Sequence, residues 1–299
     1  MQPAEQLKTH HSKFKTFSWD RVSFLVPDDW DMSSFDTTPA KSHVEMDDGG
    51  PRRLVAEWTR LAGPINAPRI HRRYAQAVEA LKKKARSSRD FQNLPADWYA
   101  TLYSMDGGDS IVSAAHLSAA GKIFFSFLLY FHGKSGNSPD AVLRTLIDSL
   151  TVNGEPLAPW ECYDMAFRLN SEFQLVETAF LSGRKQMVFQ WRQRRLYVWL
   201  ISLADMVLNG RPPPVWACDF LNQIEGLRGP SFHADQDGAI KARRRAAWPL
   251  GHADQLRRLC FRYKVGLEHL PERNQIFLWA YHYRRDEDLK KLEGLEFGV

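Results

Sequence analysis

The chain reads as an α+β protein made of two tandem lobes, each an antiparallel β-sheet covered by two amphipathic α-helices. Three observations lead there: a strand-and-turn pattern that occurs twice, helix-period apolar stripes in each half, and a Gly/Pro-rich linker between the halves. The expected organisation is a flexible N-terminal tail over residues 1–14, a first lobe over 15–155 and a second over 156–299.

The doubled pattern opens each lobe. Arg21 to Met32 (RVSFLVPDDWDM) and Asp164 to Leu175 (DMAFRLNSEFQL) align without a gap at an offset of 143 positions. Val22 falls on Met165, Phe24 on Phe167, Val26 on Leu169, Trp30 on Phe173 and Met32 on Leu175. Every pair is apolar, and the first three are spaced by two, the period of a half-buried strand. Both trios should therefore be buried. The turns differ in chemistry, Pro27-Asp28-Asp29 fixing φ and Asn170-Ser171-Glu172 capping with side chains.

Further strands follow at Arg53–Trp58 and Arg195–Trp199, each after a charged turn. Ile70, Tyr74, Ala77, Val78, Leu81 and Ala85 then lie on one helical face. In the second half Pro214 opens a helix whose apolar face is Trp216, Phe220, Ile224 and Leu227. Phe127–His132 matches Phe277–His282 at an offset of 150, histidine included. Closing helices end both halves. Ser138 caps the first, with Pro139 in its first turn and Val142, Leu143, Leu146, Ile147 and Leu150 inward; Asp286 opens the second, with Leu289, Leu292 and Leu295 inward. The linker is residues 153–159, NGEPLAP.

The F-x-V-P-x-x-W of Phe24 to Trp30, this order of elements and the DSLTV segment after the first closing helix resemble the PsbP-like fold. That superfamily includes an extrinsic protein of photosystem II, a nuclear transport factor that binds the Ran GTPase, and chaperones of type VI secretion effectors. The second half departs from the motif, with Asn170 and Phe173 in place of the proline and tryptophan. The resemblance implies protein binding without a shared catalytic apparatus, and fold by itself does not fix function.

Bulk composition narrows the class. Hydrophobic residues make up 44% and charged residues 25% of the chain, the balance of a folded protein with a packed core. The longest apolar run, Ile123 to Phe131, has strand length, short of the ~18 residues that cross a bilayer. The N-terminal stretch lacks the apolar core of a secretory signal, and a cytoplasmic, non-inserting protein is expected. Cys162, Cys218 and Cys260 are too scattered for a disulfide framework or zinc site, so no metal and no organic cofactor is expected.

No catalytic residue is nominated. Phe131 to Gly136 (FHGKSG) sits between strand and helix, but a phosphate loop needs glycine where Leu128 stands. His132 and His282 read as a duplicated fold position. Asp235 to Gly238 lacks the glutamate that closes a calcium loop and reads as a turn.

The basic segments are the candidate binding residues. Alternation puts Ile240, Ala242, Ala246 and Trp248 on one strand face with Arg244, and Lys241, Arg243 and Arg245 on the other. In a second strand Leu259, Phe261, Tyr263 and Val265 face inward while Arg258, Arg262 and Lys264 face out. If the strands are neighbours, six cations share a surface, with Arg192, Arg194 and Arg195 adding to it. The net charge of +5, split +1 and +4 about Leu157, permits an acidic partner without demanding one. The expected function is thus a non-enzymatic adaptor, assembly factor or chaperone subunit that binds another protein with an acidic surface. The alternatives are nucleic-acid binding through the Arg-rich face and an enzyme with an unrecognised site.

Overall fold

Runs of alternating apolar residues dominate the chain, and most of them become strands. The computed structural model describes residues 14–62, 67–118, 122–133, 138–153, 156–227, 230–244 and 262–298. The first half runs β1 (Phe14–Trp19), β2 (Val22–Pro27), β3 (Asp31–Thr37), β4 (Lys41–Asp47) and β5 (Arg52–Arg60), then helix α1 (Ala67–Lys84). It continues with β6 (Ser87–Asp90), β7 (Trp98–Ser104), β8 (Ser110–Ser118), β9 (Ile123–Phe131), α2 (Pro139–Ser149) and β10 (Thr151–Val152). The second half runs β11 (Leu157–Cys162), β12 (Met165–Asn170), β13 (Gln174–Leu181), β14 (Arg184–Trp191), β15 (Arg194–Ser202), α3 (Ala204–Leu208) and α4 (Pro213–Gln223). It closes with β16 (Pro230–Ala234), β17 (Ile240–Arg244), β18 (Arg262–Leu270), β19 (Gln275–Tyr283), a 3-10 segment (Asp286–Leu292) and β20 (Glu296–Phe297).

The chain forms two compact units, Met1–Arg168 with Phe297–Val299, and Leu169–Glu296. In the first, a six-stranded sheet has the order β10-β2-β1-β11-β12-β20, and a seven-stranded sheet the order β3-β4-β5-β9-β8-β7-β6. The six-stranded order reads the same from either end: a central strand, its hairpin partner and a short closing strand on each side. The second unit carries a five-stranded sheet, β13-β14-β15-β19-β18, and the hairpin β16-β17.

Strand faces follow the alternation. Val22, Phe24 and Val26 are buried, as are Met165, Phe167 and Leu169. Phe24 meets Phe127 of the seven-stranded sheet edge to face at 5.8 Å, and Trp19 packs against Trp160 at 5.2 Å. At the C-terminus of α2 the Ser149 hydroxyl accepts a hydrogen bond from the Leu25 backbone N–H (2.8 Å), satisfying a donor where β10 no longer covers β2.

The repeat extends into ladder register. Asp31 pairs with Asp47 and Met32 with Met46; 143 positions on, Gln174 pairs with Gln190 and Leu175 with Phe189. Each hairpin then slips by one residue, after Met32 and after Leu175, so even the β-bulge occurs in both copies. The histidine match does not survive. Leu54 pairs with Leu129 and Leu196 with Tyr281, so β9 and β19 correspond at an offset of 152, and His132 and His282 stand at different ladder positions.

The expected fold class is corrected. Among the described residues the protein is mostly β, with four antiparallel sheets and few helices, rather than two sheets each covered by two amphipathic helices. The closing segment of the second half explains part of this. Leu289 and Leu292 lie in a 3-10 segment that ends at Leu292, and Leu295 follows its C-cap, Glu293, so no α-helix carries the three leucines on one face. Asp288 also turns inward there, where burial raises its pKa but bonds from Arg194 and from the Arg284 and Arg285 amides lower it further. In the first half, Tyr74, Val78 and Leu81 of α1 are only half-buried. That helix rests on β8 through a Tyr74–Ser113 hydroxyl bond (2.6 Å) rather than blanketing the sheet. α2 has the expected form, with Val142, Leu143, Leu146 and Ile147 buried, and α4 opens at its prolines as expected, with Trp216 in the core of the second unit and Phe220 packed against it.

Candidate partner-binding groove

The cations singled out in the sequence are placed as follows. On β17, Lys241 is exposed and pairs with Asp235 at 2.7 Å. Asp235 organises the β16–β17 turn through the amides of Asp237 and Ala239. On β18, Arg262 pairs with Asp286 at 2.8 Å, while Lys264 is exposed. The Arg243 side chain, Arg245 and Arg258 lie outside the described residues, as do Lys134, Ser135, Cys260 and the N-terminal tail. The inward residues of both strands, Ile240, Ala242, Tyr263 and Val265, pack on the core of the second unit. Arg194 leaves the basic surface altogether. Its guanidinium makes two bonds to Asp288 (2.9 and 3.0 Å) and lies over the Trp191 ring.

His132 sits between the Asp109 carboxylate (3.1 Å) and the Arg52 carbonyl (3.4 Å), so both ring nitrogens are engaged. A histidine tied at both ends is positioned as a strut, not as a free base. Among the described residues, no group of three or more His, Cys, Asp or Glu could hold a metal ion. Cys162 and Cys218 are buried and unbridged.

An unannounced feature stands out at one end of the five-stranded sheet. An open groove of about 470 Å³ is lined by the β13–β14 turn (Leu181, Arg184), the end of β15 (Ile201, Leu203), α3 (Met206, Val207) and α4 (Trp216, Phe220). Its floor is built from aromatic packing. Phe220 stacks on Trp216 at 5.3 Å and meets Trp199 edge-on at 5.4 Å. The Trp199 indole N–H donates to Gln186 Oε1 at 2.8 Å, which keeps the buried nitrogen satisfied.

The rim is apolar and open to solvent: Met206 is 74% exposed, Leu181 55% and Leu203 53%. Leu203 is also held in the left-handed region (φ 58, ψ 48), where an L-residue with a γ-branched side chain is disfavoured by roughly 1–2 kcal/mol. Asn274 holds that conformation. Its carbonyl accepts from the Ala204 N–H (3.0 Å) and its side-chain oxygen from the Asp205 N–H (2.9 Å). The backbone at Leu203 thus delivers the leucine to solvent rather than to the core. Arg184 completes the lining, half-buried and without an ion-pair partner among the described residues.

A trace of this surface was legible. In α3, Ala204 and Leu208 are the inward i, i+4 pair, so Leu203 and Met206 are apolar residues off the stripe. The positive φ and the convergence of four segments carry no sequence signal. No protein-family model matches the chain, and no curated protein is significantly similar to it. Among the described residues, no helix is long and apolar enough to cross a membrane.

Proposed function

We propose that the protein is a non-enzymatic binding protein, an adaptor or assembly factor, and that the groove of its second unit receives an apolar segment of a partner protein bearing a carboxylate. The observation that carries this is the pairing of an exposed apolar rim with a half-buried arginine, Arg184, that has no ion-pair partner among the described residues. Apolar side chains of the partner would cover Leu181, Leu203 and Met206, and a desolvated carboxylate would meet the planar donors of Arg184. The volume lies within the range of about 300–1,000 Å³ typical of ligand clefts. Its openness to the surface suits a peptide segment better than an engulfed small molecule.

The Arg-rich face supports nucleic-acid binding less well, because Lys241 and Arg262 already have acidic partners. Calorimetric titration with a defined probe tests the groove. The probe is a synthetic peptide with two leucines four residues apart and a flanking glutamate, compared with its lysine counterpart. The glutamate form should bind the wild-type protein, and Arg184→Glu should reverse the preference. No binding by either peptide, or a preference unmoved by Arg184→Glu, overturns the reading.

A further inference from the structure

Positive charge is not spread evenly over this chain. Residues 67–90, from the start of α1 to the end of β6, contain eight Lys or Arg and two acids, Glu79 and Asp90, a net charge of +6. The whole chain carries +5, so the remaining residues, with 32 basic and 33 acidic side chains, carry −1. One helix and the strand after it hold the entire surplus. Little of it is neutralised. Arg89 pairs with Asp140 at 2.8 Å, but Lys83 to Glu79 and Arg86 to Asp106 are loose contacts at 3.8 Å between exposed groups. Arg72, Lys82 and Lys84 are exposed and have no ion-pair partner among the described residues.

The helix is also amphipathic, and its apolar side is poorly covered. Tyr74, Val78 and Leu81 share the face that Tyr74 turns to β8, yet all three are only half-buried. The sheet shows the same gap. Leu128 is the ladder partner of Ser113 beneath Tyr74, and it stays half-buried with Phe124 and Tyr130 on the same face of β9. At about 100° per residue, Lys82 and Lys84 lie about 80° to either side of Tyr74 and so flank the stripe. Cations flanking a narrow apolar stripe, on a helix too polar to cross a bilayer, make a helix that lies in the plane of a lipid surface. Other polyanions fit less of this. The exposed uncharged residues of α1 among those described are Pro68, Ala75, Gln76 and Ala80. None of them stacks single-stranded bases or anchors a protein interface, and a nucleic-acid duplex would give the apolar stripe nothing.

We infer that α1 is a peripheral membrane helix: it leaves its contact with β8 and lies flat on an anionic lipid surface. Its lysines and arginines then sit among the phosphates, with Tyr74, Val78 and Leu81 at the acyl boundary. On β8 the helix leaves behind one hydroxyl bond, Tyr74 to Ser113, and two small buried residues, Ser113 and Ala115. The site is separate from the groove, whose lining residues all belong to the second unit.

Cosedimentation of the full chain with lipid vesicles tests the inference. The protein should pellet with vesicles of equal parts phosphatidylglycerol and phosphatidylcholine, and stay in solution with phosphatidylcholine alone. Combining Lys82→Glu, Lys83→Glu and Lys84→Glu should weaken binding about a hundredfold or more, since each cation near an anionic surface strengthens it about fivefold. All three lysines are exposed, so circular dichroism should not change. Leu81→Asn should weaken binding at least about fivefold, because the stripe loses its leucine. Failure to bind anionic vesicles overturns the inference, as does equal pelleting with both vesicle types. So does binding that the triple reversal leaves intact, or that Leu81→Asn leaves intact in a folded variant. Capture of duplex DNA without vesicle binding would assign the cations to nucleic acid and overturn it as well.

Discussion

Two cross-strand pairs occupy the same place in the two copies and have opposite surroundings. In the first, His43 on β4 faces Glu57 on β5, with Nδ1 and Oε1 2.9 Å apart. In the second, Gln186 on β14 faces Trp199 on β15, also joined by a side-chain hydrogen bond. Around His43 and Glu57 the face is a charge ladder: Lys41 binds Glu57 at 2.6 Å, His43 Nε2 reaches Glu45 at 3.2 Å, and Arg52 binds Glu45 at 2.9 Å. At the positions matching Lys41 and Glu45 the second copy has Arg184 and Val188, and the face becomes the buried core on which Trp216, Ala217 and Leu221 of α4 pack, with Arg184 and Ile201 at the groove. Backbone register is retained while the face changes from solvated charge to apolar core. The repeat thus keeps what the ladder needs and varies what packs on the sheet, because side chains on a sheet face can change chemistry without moving the strands.

The sharpest way to break this comparison is to truncate both pairs. Trp199→Ala removes a fully buried indole from the core beneath the groove and should cost about 3–5 kcal/mol in chemical denaturation. Glu57→Ala removes a carboxylate from a partly solvated ladder and should cost about 1 kcal/mol or less. Equal costs would show that the two faces are not energetically distinct.

The next effect concerns acid. The Arg53 bond holds the Asp48 carboxyl below its ordinary value in the first unit. In the second, burial raises the Asp288 pKa but is outweighed by its bonds to Arg194 and to the Arg284 and Arg285 amides. A carboxylate whose pKa is lower folded than unfolded stabilises above the unfolded pKa, and that contribution is lost as pH falls through the folded one. Stability should therefore decline below about pH 4. Asp288→Asn should flatten that acid limb and, by stranding a buried guanidinium, cost about 3 kcal/mol at neutral pH. An acid limb unchanged by Asp288→Asn would remove the pair from the account.

A smaller cost is expected on β18, where an added Cβ at Gly266 would overlap the Trp279 ring on the neighbouring strand. Gly266→Ala should destabilise by about 1–3 kcal/mol, and an unchanged denaturation midpoint would mean the indole has room to move. The smallest effect has the opposite sign. Leu203→Asn suits the left-handed backbone and should stabilise the protein by about 1 kcal/mol while weakening the groove's hold on the leucine–glutamate peptide. Loss of stability in that variant would mean the leucine is held for packing.

Strand existence, strand faces and the duplication were determined by the sequence, because period-two alternation is a local property that survives any arrangement of the strands. The trios at Val22 and Met165 show this, as does the capped, Pro-initiated α2. The closing segment reads as an α-helix in the sequence, and its 3-10 form over Asp286–Leu292 was not legible there. What the tertiary structure decided was which strands are neighbours and what their faces meet. The offset of 152 between β9 and β19 depends on ladder pairing, which no single segment encodes, and it separated two histidines that composition had matched. Lys241 and Arg262 looked free because their acids, Asp235 and Asp286, come from turns six and 24 residues away. The groove assembles from four segments between Leu181 and Phe220, and its strained leucine owes its pose to Asn274, which only folding brings alongside.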